Sequence, residues 1–148
     1  MKGILHMAAG AGFGATLLLT PALAADETLY QRLGGYDAIA AVTDDFLGRL
    51  KGDDKLGRFF VGLSDDSAAR VRQHVVDLIC AETGGPCLYT GRDMKTAHKG
   101  MRITKEDWDR TGQLFGETLD KFKVPEQERK DLGGLIAPLE KDIVESGT

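Results

Sequence analysis

Beyond residues 1–24, four imidazole or thiol side chains have the chemistry to hold a metal or pass electrons: His74, Cys80, Cys87 and His98. Imidazole and thiolate are metal ligands, and a pair of thiols can instead close a disulfide. Their spacing narrows the choice. The two histidines stand 24 positions apart, and no His/Cys cluster has zinc-ligand spacing. Cys80 and Cys87 do not form C-x-x-C-H, so covalent attachment of a c-type heme is unsupported. A Ser-His-Asp hydrolase has little support either, with no nucleophile elbow and only these histidines to act as base. The paired carboxylates Asp44-Asp45, Asp53-Asp54 and Asp65-Asp66 read as helix ends and solvated polar faces.

His74 follows Val71 by three residues and precedes Val75, so on a helix the three share a face. The imidazole then looks into an apolar pocket, or it lies at the edge of the stripe with its ring in solvent or on a neighbour. His98 follows Met94 by four, with Lys95 and Lys99 flanking that side. Taken alone, it reads as a structural or surface histidine as readily as a ligand. Between the cysteines lies Gly84-Gly85-Pro86, a turn that lets the chain double back and close a short disulfide loop. The alternative is two reduced thiols, with Cys80 simply packed on an apolar helix face.

The elements that must position these residues belong to one domain. The chain has 148 residues, net charge −4 and 42% hydrophobic residues, the composition of one folded globular unit. Net acidity argues against a nucleic-acid partner, whose electrostatic footprint would be basic. Residues 1–24 read as a cleaved signal peptide. Lys2 supplies the positive start, Ala8–Leu19 an uncharged apolar stretch, and Ala22-Leu23-Ala24 the cleavage site. An N-terminal membrane anchor is the alternative, since Gly3–Ala25 is long enough to span but glycine-rich and thinly hydrophobic. Cleavage would remove His6 and Lys2 and no acidic residue, moving the net charge from −4 to −5. The expected location is the bacterial periplasm, where a disulfide would persist.

Within residues 25–148 the periodicity is helical. Ile39, Val42, Phe46 and Leu50 mark one face of a helix over Tyr36–Leu50, and a short segment around Leu56–Val61 follows. Ser64 starts another helix, with Asp65 and Asp66 in its first turn and an apolar stripe of Val71, Val75, Leu78 and Ile79. Cys87–Arg92 is irregular and leads to a short helix near Met94–Gly100. Thr104 opens the next helix as a capping box with Asp107, with a stripe of Trp108, Phe115, Leu119 and Phe122. Pro125 suits the first residue of the last helix, which runs to Ile143 and kinks at Pro138. No alternating strand appears, so the fold class is all-α with five or six helices.

Several segments together resemble a group I truncated hemoglobin. They are Leu29–Gly35 (LYQRLGG), Phe46–Arg49, Phe59-Phe60, Gly84-Gly85-Pro86 and Tyr89–His98 (YTGRDMKTAH). The likeness continues through Gly100–Thr104 and Val124-Pro125 to Ala137–Leu139, and covers about residues 28–144. The resemblance implies a two-over-two helical sandwich around heme b, with His98 as proximal iron ligand. It implies that Leu47, Phe60, Val71, Val75, Met94, Ile103 and Trp108 line the heme, and that Arg92 and Lys95 meet its propionates. It also implies unusual backbone angles at Gly34, Gly35, Gly84 and Gly85.

Two departures from the family pattern bear on chemistry. The position after Phe46 is usually a tyrosine that hydrogen-bonds bound oxygen, and here it is Leu47. Val71 and Val75 stand where glutamine or another polar residue is common on the distal helix. A lost hydrogen bond to a ligand weakens it by about 1–3 kcal/mol, roughly ten- to a hundredfold. His74 matches a position that supplies a second axial histidine in some hexacoordinate members, or it swings out to a propionate. The expected function is binding of O2, NO or another diatomic ligand by a monomeric exported globin, with nitric oxide dioxygenation or peroxidase turnover at most a side activity. The alternatives are a bis-histidine redox or peroxidase-like protein served by a periplasmic donor such as a c-type cytochrome, and a heme carrier.

Overall fold

The computed structural model describes residues 26–145; the expected signal peptide lies outside them. Seven α-helices succeed one another: α1 (Leu29–Arg32), α2 (Gly35–Gly52), α3 (Asp65–Glu82), α4 (Met94–His98), α5 (Lys105–Lys121), α6 (Glu126–Ile136) and α7 (Glu140–Ile143). Short 3-10 turns occupy Gly57–Phe60 and Ala137–Leu139, and no strand occurs among the described residues. No described helix is long and apolar enough to cross a membrane.

Local chemistry sets most of the helix ends. Ser64 caps α3, its hydroxyl accepting the Ser67 amide at 3.3 Å, and Asp65 and Asp66 follow in the first turn. Thr104 and Asp107 form the expected capping box of α5, with the Thr104 amide donating to Asp107 at 3.0 Å. Pro125 stands one position earlier than expected, as the cap of α6 rather than its first residue. The expected long last helix breaks at Pro138. Proline has no amide to return to the preceding turn, so the chain tightens into the 3-10 turn before α7.

Helix α2 is the shared wall, packed against both α3 and α5. Its Ile39 meets Val76 and Cys80 of α3 in one core cluster, and its Leu47 and Leu50 meet Leu56 and Leu114 in another. The inward face of α3 is therefore Val76 and Cys80, both with no solvent exposure, whereas the expected stripe of Val71, Val75, Leu78 and Ile79 is only half-buried. On α5 the buried apolar pair is Leu114 and Leu119, Trp108 and Phe115 are half-buried, and Phe122 is exposed. Cys80 and Cys87 are joined, their Cα atoms 5.7 Å apart. Gly34, Gly35 and Gly84 have the positive φ expected of corners, but Gly85 does not. Gly85 is small for a different reason, since a Cβ there would lie 2.7 Å from the Cys80 carbonyl oxygen.

The carboxylate pairs are not all solvated. Asp45, with a side chain only 13% exposed, joins Arg49 at 2.7 Å and Lys121, and accepts the Thr118 hydroxyl at 3.1 Å. Asp53 joins Arg110 at 2.8 Å and accepts the amides of Lys55 and Leu56. Both tie α2 and its end to α5, which single-residue polarity does not reveal. Asp44 meets Arg72 of α3 and stays more exposed.

Helix α4 is held differently, mainly by α7. The Glu145 carboxylate accepts the Gly100 amide, and the Glu145 amide donates to the Ile103 carbonyl at 2.9 Å. Between those two anchors the backbone turns through positive φ at Gly100 and Arg102. The end of the described chain thus staples the turn that follows His98.

Two outcomes follow from these contacts. Arg49 first, then Lys121, hold the Asp45 carboxyl down at about 2, below its ordinary 3.8 and against the cost of burial. A depressed pKa stabilises the fold fully above about pH 4 and is lost as pH falls from there toward 2. Asp45→Asn should therefore cost about 1–2 kcal/mol at neutral pH, ~3–8 °C in melting temperature, with the gap closing on acidification. Equal melting curves at pH 7 would refute the role. Glu145→Ala should speed deuterium exchange at the Gly100 amide about tenfold while leaving the α2 and α5 amides unchanged. Unaltered exchange at Gly100 would show that the staple carries no weight.

Candidate functional site

His98 ends α4, a helix of five residues whose formation rests on its first turn. Asp93 caps it by accepting the Thr96 amide at 2.9 Å, and the Thr96 side chain first, then that amide, hold the Asp93 carboxyl below its ordinary range. At the other end, His98 Nδ1 lies 2.8 Å from the Met94 carbonyl oxygen. A carbonyl oxygen only accepts, so Nδ1 must carry the proton and donate it. The lone pair is then on Nε2. A ligating histidine is prepared in this way, with one ring nitrogen anchored to the protein and the other offered to a metal.

His74 presents the opposite picture. It sits on the half-buried face of α3 beside Val71, Val75 and Leu78, and its ring meets Tyr89 edge-on with centroids 6.0 Å apart. Its Nδ1 is buried and has no hydrogen-bond partner. The Nδ1 edge of the ring is thus covered by protein, yet no hydrogen bond there fixes its tautomer. A buried polar atom without a partner costs about 1–3 kcal/mol and needs a reason.

The other expected residues divide by burial. Leu47 and Ile103 are buried, with Leu47 in the cluster against which Phe46, Phe59 and Phe60 pack. Phe60, Val71, Val75, Met94 and Trp108 are half-buried, and Phe46 meets Phe115 edge-on at 5.1 Å. Large apolar side chains that stop half-way to burial leave apolar surface that a hydrophobic group can cover. Arg92 and Lys95 are exposed and form no ion pair with any described carboxylate, so both cations are available to an anionic substituent. No described group of three or more His, Cys, Asp or Glu side chains is placed to hold a metal ion by itself. A single histidine with one ring nitrogen left free suits a metal that brings its own equatorial ligands. The residues present therefore fit heme.

Two apolar cavities of about 30 Å³ each lie away from both histidines and share Ile79 and Leu132 in their linings. Two contributors to the site had no sequence signal strong enough to single them out. Tyr89 stands in an irregular stretch with no period to orient it, and Glu145 acts across 45 residues through one carboxylate. Only the three-dimensional path of the chain shows either contact.

Comparison with known proteins agrees with this geometry. The bacterial-like globin family model matches residues 28–145. The group 1 truncated hemoglobin GlbN of Mycolicibacterium paratuberculosis is 32% identical over 116 residues, covering 78% of this chain and 83% of that protein. The Synechocystis GlbN is 33% identical over 103 residues, covering 67% and 81%. Among solved structures, the truncated hemoglobin of Tetrahymena pyriformis in its Fe(III) form superposes with a TM-score of 0.73 at 26% identity, covering 81% of this chain and 100% of that one. The all-α, two-over-two fold is thereby established. An unbroken match from the cap of α1 to the end of α7, shared with relatives at about a third identity, makes this chain a bacterial-like globin of the group 1 truncated kind, and its cofactor heme.

Proposed function

We propose that the domain binds a diatomic ligand reversibly, with His98 as the proximal ligand and His74 as an exchangeable distal one. When bound, heme supplies an iron centre with a coordination position open to O2, NO or a similar small molecule. The protein's part is to hold, orient and shield. His98 carries the reading, because its Nδ1–H donates to Met94 and leaves Nε2 as the donor atom. Phe60, Met94, Ile103 and Trp108 would pack on the ring faces, and Arg92 and Lys95 would meet the propionates. Leu47, Val71 and Val75 offer no hydrogen-bond donor, so water is discouraged but a polar ligand gains no special support.

The unpartnered Nδ1 favours an exchangeable His74 over a permanent second ligand. An electron carrier with two axial histidines would be expected to anchor both rings as it anchors His98. A ring held only by an aromatic edge yields more readily to an incoming ligand. We further propose that residues 1–24 are removed and that residues 25–148 work in the periplasm, which the joined Cys80 and Cys87 support. An electron donor such as a c-type cytochrome belongs to the bis-histidine alternative.

His98→Ala should lose nearly all stably bound heme, and His98→Gly should regain it with added imidazole. Full heme retention with an unchanged spectrum in His98→Ala would overturn the proximal assignment. The ferric and ferrous wild type should show a low-spin six-coordinate spectrum that becomes five-coordinate or water-ligated in His74→Ala. A five-coordinate wild type that the mutation leaves unchanged would remove His74 from the iron. The protein recovered from the periplasm should begin at Ala25 and weigh two hydrogens less than its reduced form; free alkylatable thiols there would refute the bridge.

A further inference from the structure

We propose that Tyr89 is the positioning residue for His74, setting how firmly that imidazole holds the distal place; this rests on the distal reading above. His74 has no hydrogen bond at Nδ1, so its orientation depends on packing. The aromatic ring recorded against it is Tyr89, edge-on at 6.0 Å between centroids. An edge-to-face pair of this kind fixes both the tilt and the depth of the smaller ring.

Tyr89 is itself held from three sides, although it lies in a segment with no regular structure. Its hydroxyl donates to the Arg92 carbonyl oxygen at 2.5 Å. A Cβ on Gly91 would run into the Tyr89 ring, so glycine there lets the backbone close against the ring's outer edge. Two residues earlier, Cys87 is joined to the fully buried Cys80 and packs with it against Ile39 and Val76. The irregular segment is therefore pinned to α3 at Cys87 and folded on itself at Arg92, with the Tyr89 ring delivered to His74 between those points. Removing the ring leaves His74 with neither a hydrogen bond at Nδ1 nor this aromatic edge to hold its tilt.

The test uses the full chain loaded with heme, in Tyr89→Leu, Tyr89→Phe, His74→Ala and the Tyr89→Leu/His74→Ala double variant. Tyr89→Leu should lower the six-coordinate fraction and raise the limiting rate of carbon monoxide capture about threefold to tenfold, the factor expected of one edge-on aromatic contact. Tyr89→Phe, which keeps the ring and loses the tether to Arg92, should shift both in the same direction by less. In the His74→Ala background the leucine substitution should change neither. In the heme-free chain, the His74 imidazole proton resonances should move in Tyr89→Leu as the neighbouring ring current disappears. If His74→Ala converts the spectrum but Tyr89→Leu matches wild type, the positioning role is overturned and the distal reading stands. If His74→Ala converts nothing, both fall. If Tyr89→Leu speeds capture equally with and without His74, the ring merely blocks entry and the proposal fails.

Discussion

The hydrogen bond from His98 Nδ1 to the Met94 carbonyl oxygen fixes which nitrogen of that ring is left free. It costs the helix little, because α4 ends at His98 and the acceptor lies one turn back within the same short element. It also imposes a demand. A helix of five residues is too short to be stable alone, so the bond exists only if α4 is held from outside. The Asp93 cap at its start and the Glu145 staple past its end meet that demand, and α7 supplies the packing. The His98 side is thus built from local capping and a strap, not from core burial.

The rigid part of the molecule lies elsewhere. α2 shares one cluster with α3 and another with the 3-10 turn and α5, and the Asp45 and Asp53 ion pairs bind it and its end to α5. Exposed ion pairs contribute little, but those around Asp45 and Asp53 have carboxylates with little access to solvent and extra hydrogen bonds from Thr118 or backbone amides. Losing one partner there would leave a poorly solvated charge, so each acts as a lock on register. The division suits a cofactor protein: a fixed α2–α3–α5 frame on one side, and a lightly held α4 on the other.

Much of this was legible in the sequence, for physical reasons that also mark where it stopped. The long helices were readable because a 3.6-residue apolar period and side-chain caps at Ser64 and Thr104 are local signals. Which residues of each period face inward was less readable. Val71 and Val75 are as apolar as Val76, and only the position of α2 makes Val76 the buried one. The Asp45 locks were misread as surface for the same reason, since their partner Lys121 lies 76 residues away. His98 could not be told from a surface histidine by spacing. The family resemblance singled it out, and its ring hydrogen bond supplies the physical ground.

On the proposed distal reading, Leu47, Val71 and Val75 would change what the pocket can select for. A hydrogen-bond donor stabilises a polar diatomic ligand over a less polar one, so it shifts relative affinities. An internal competitor acts differently. Whatever fraction of the time His74 holds the distal place, every external ligand meets the same reduced population of binding-competent protein, and all apparent affinities fall by one common factor. His74 therefore tunes strength without tuning choice. With no donor on Leu47, Val71 or Val75, discrimination among diatomic ligands passes to their intrinsic strength as iron ligands. A stronger ligand displaces the imidazole at a concentration where a weaker one does not. On the proposed role of Tyr89, its packing on His74 would set that threshold.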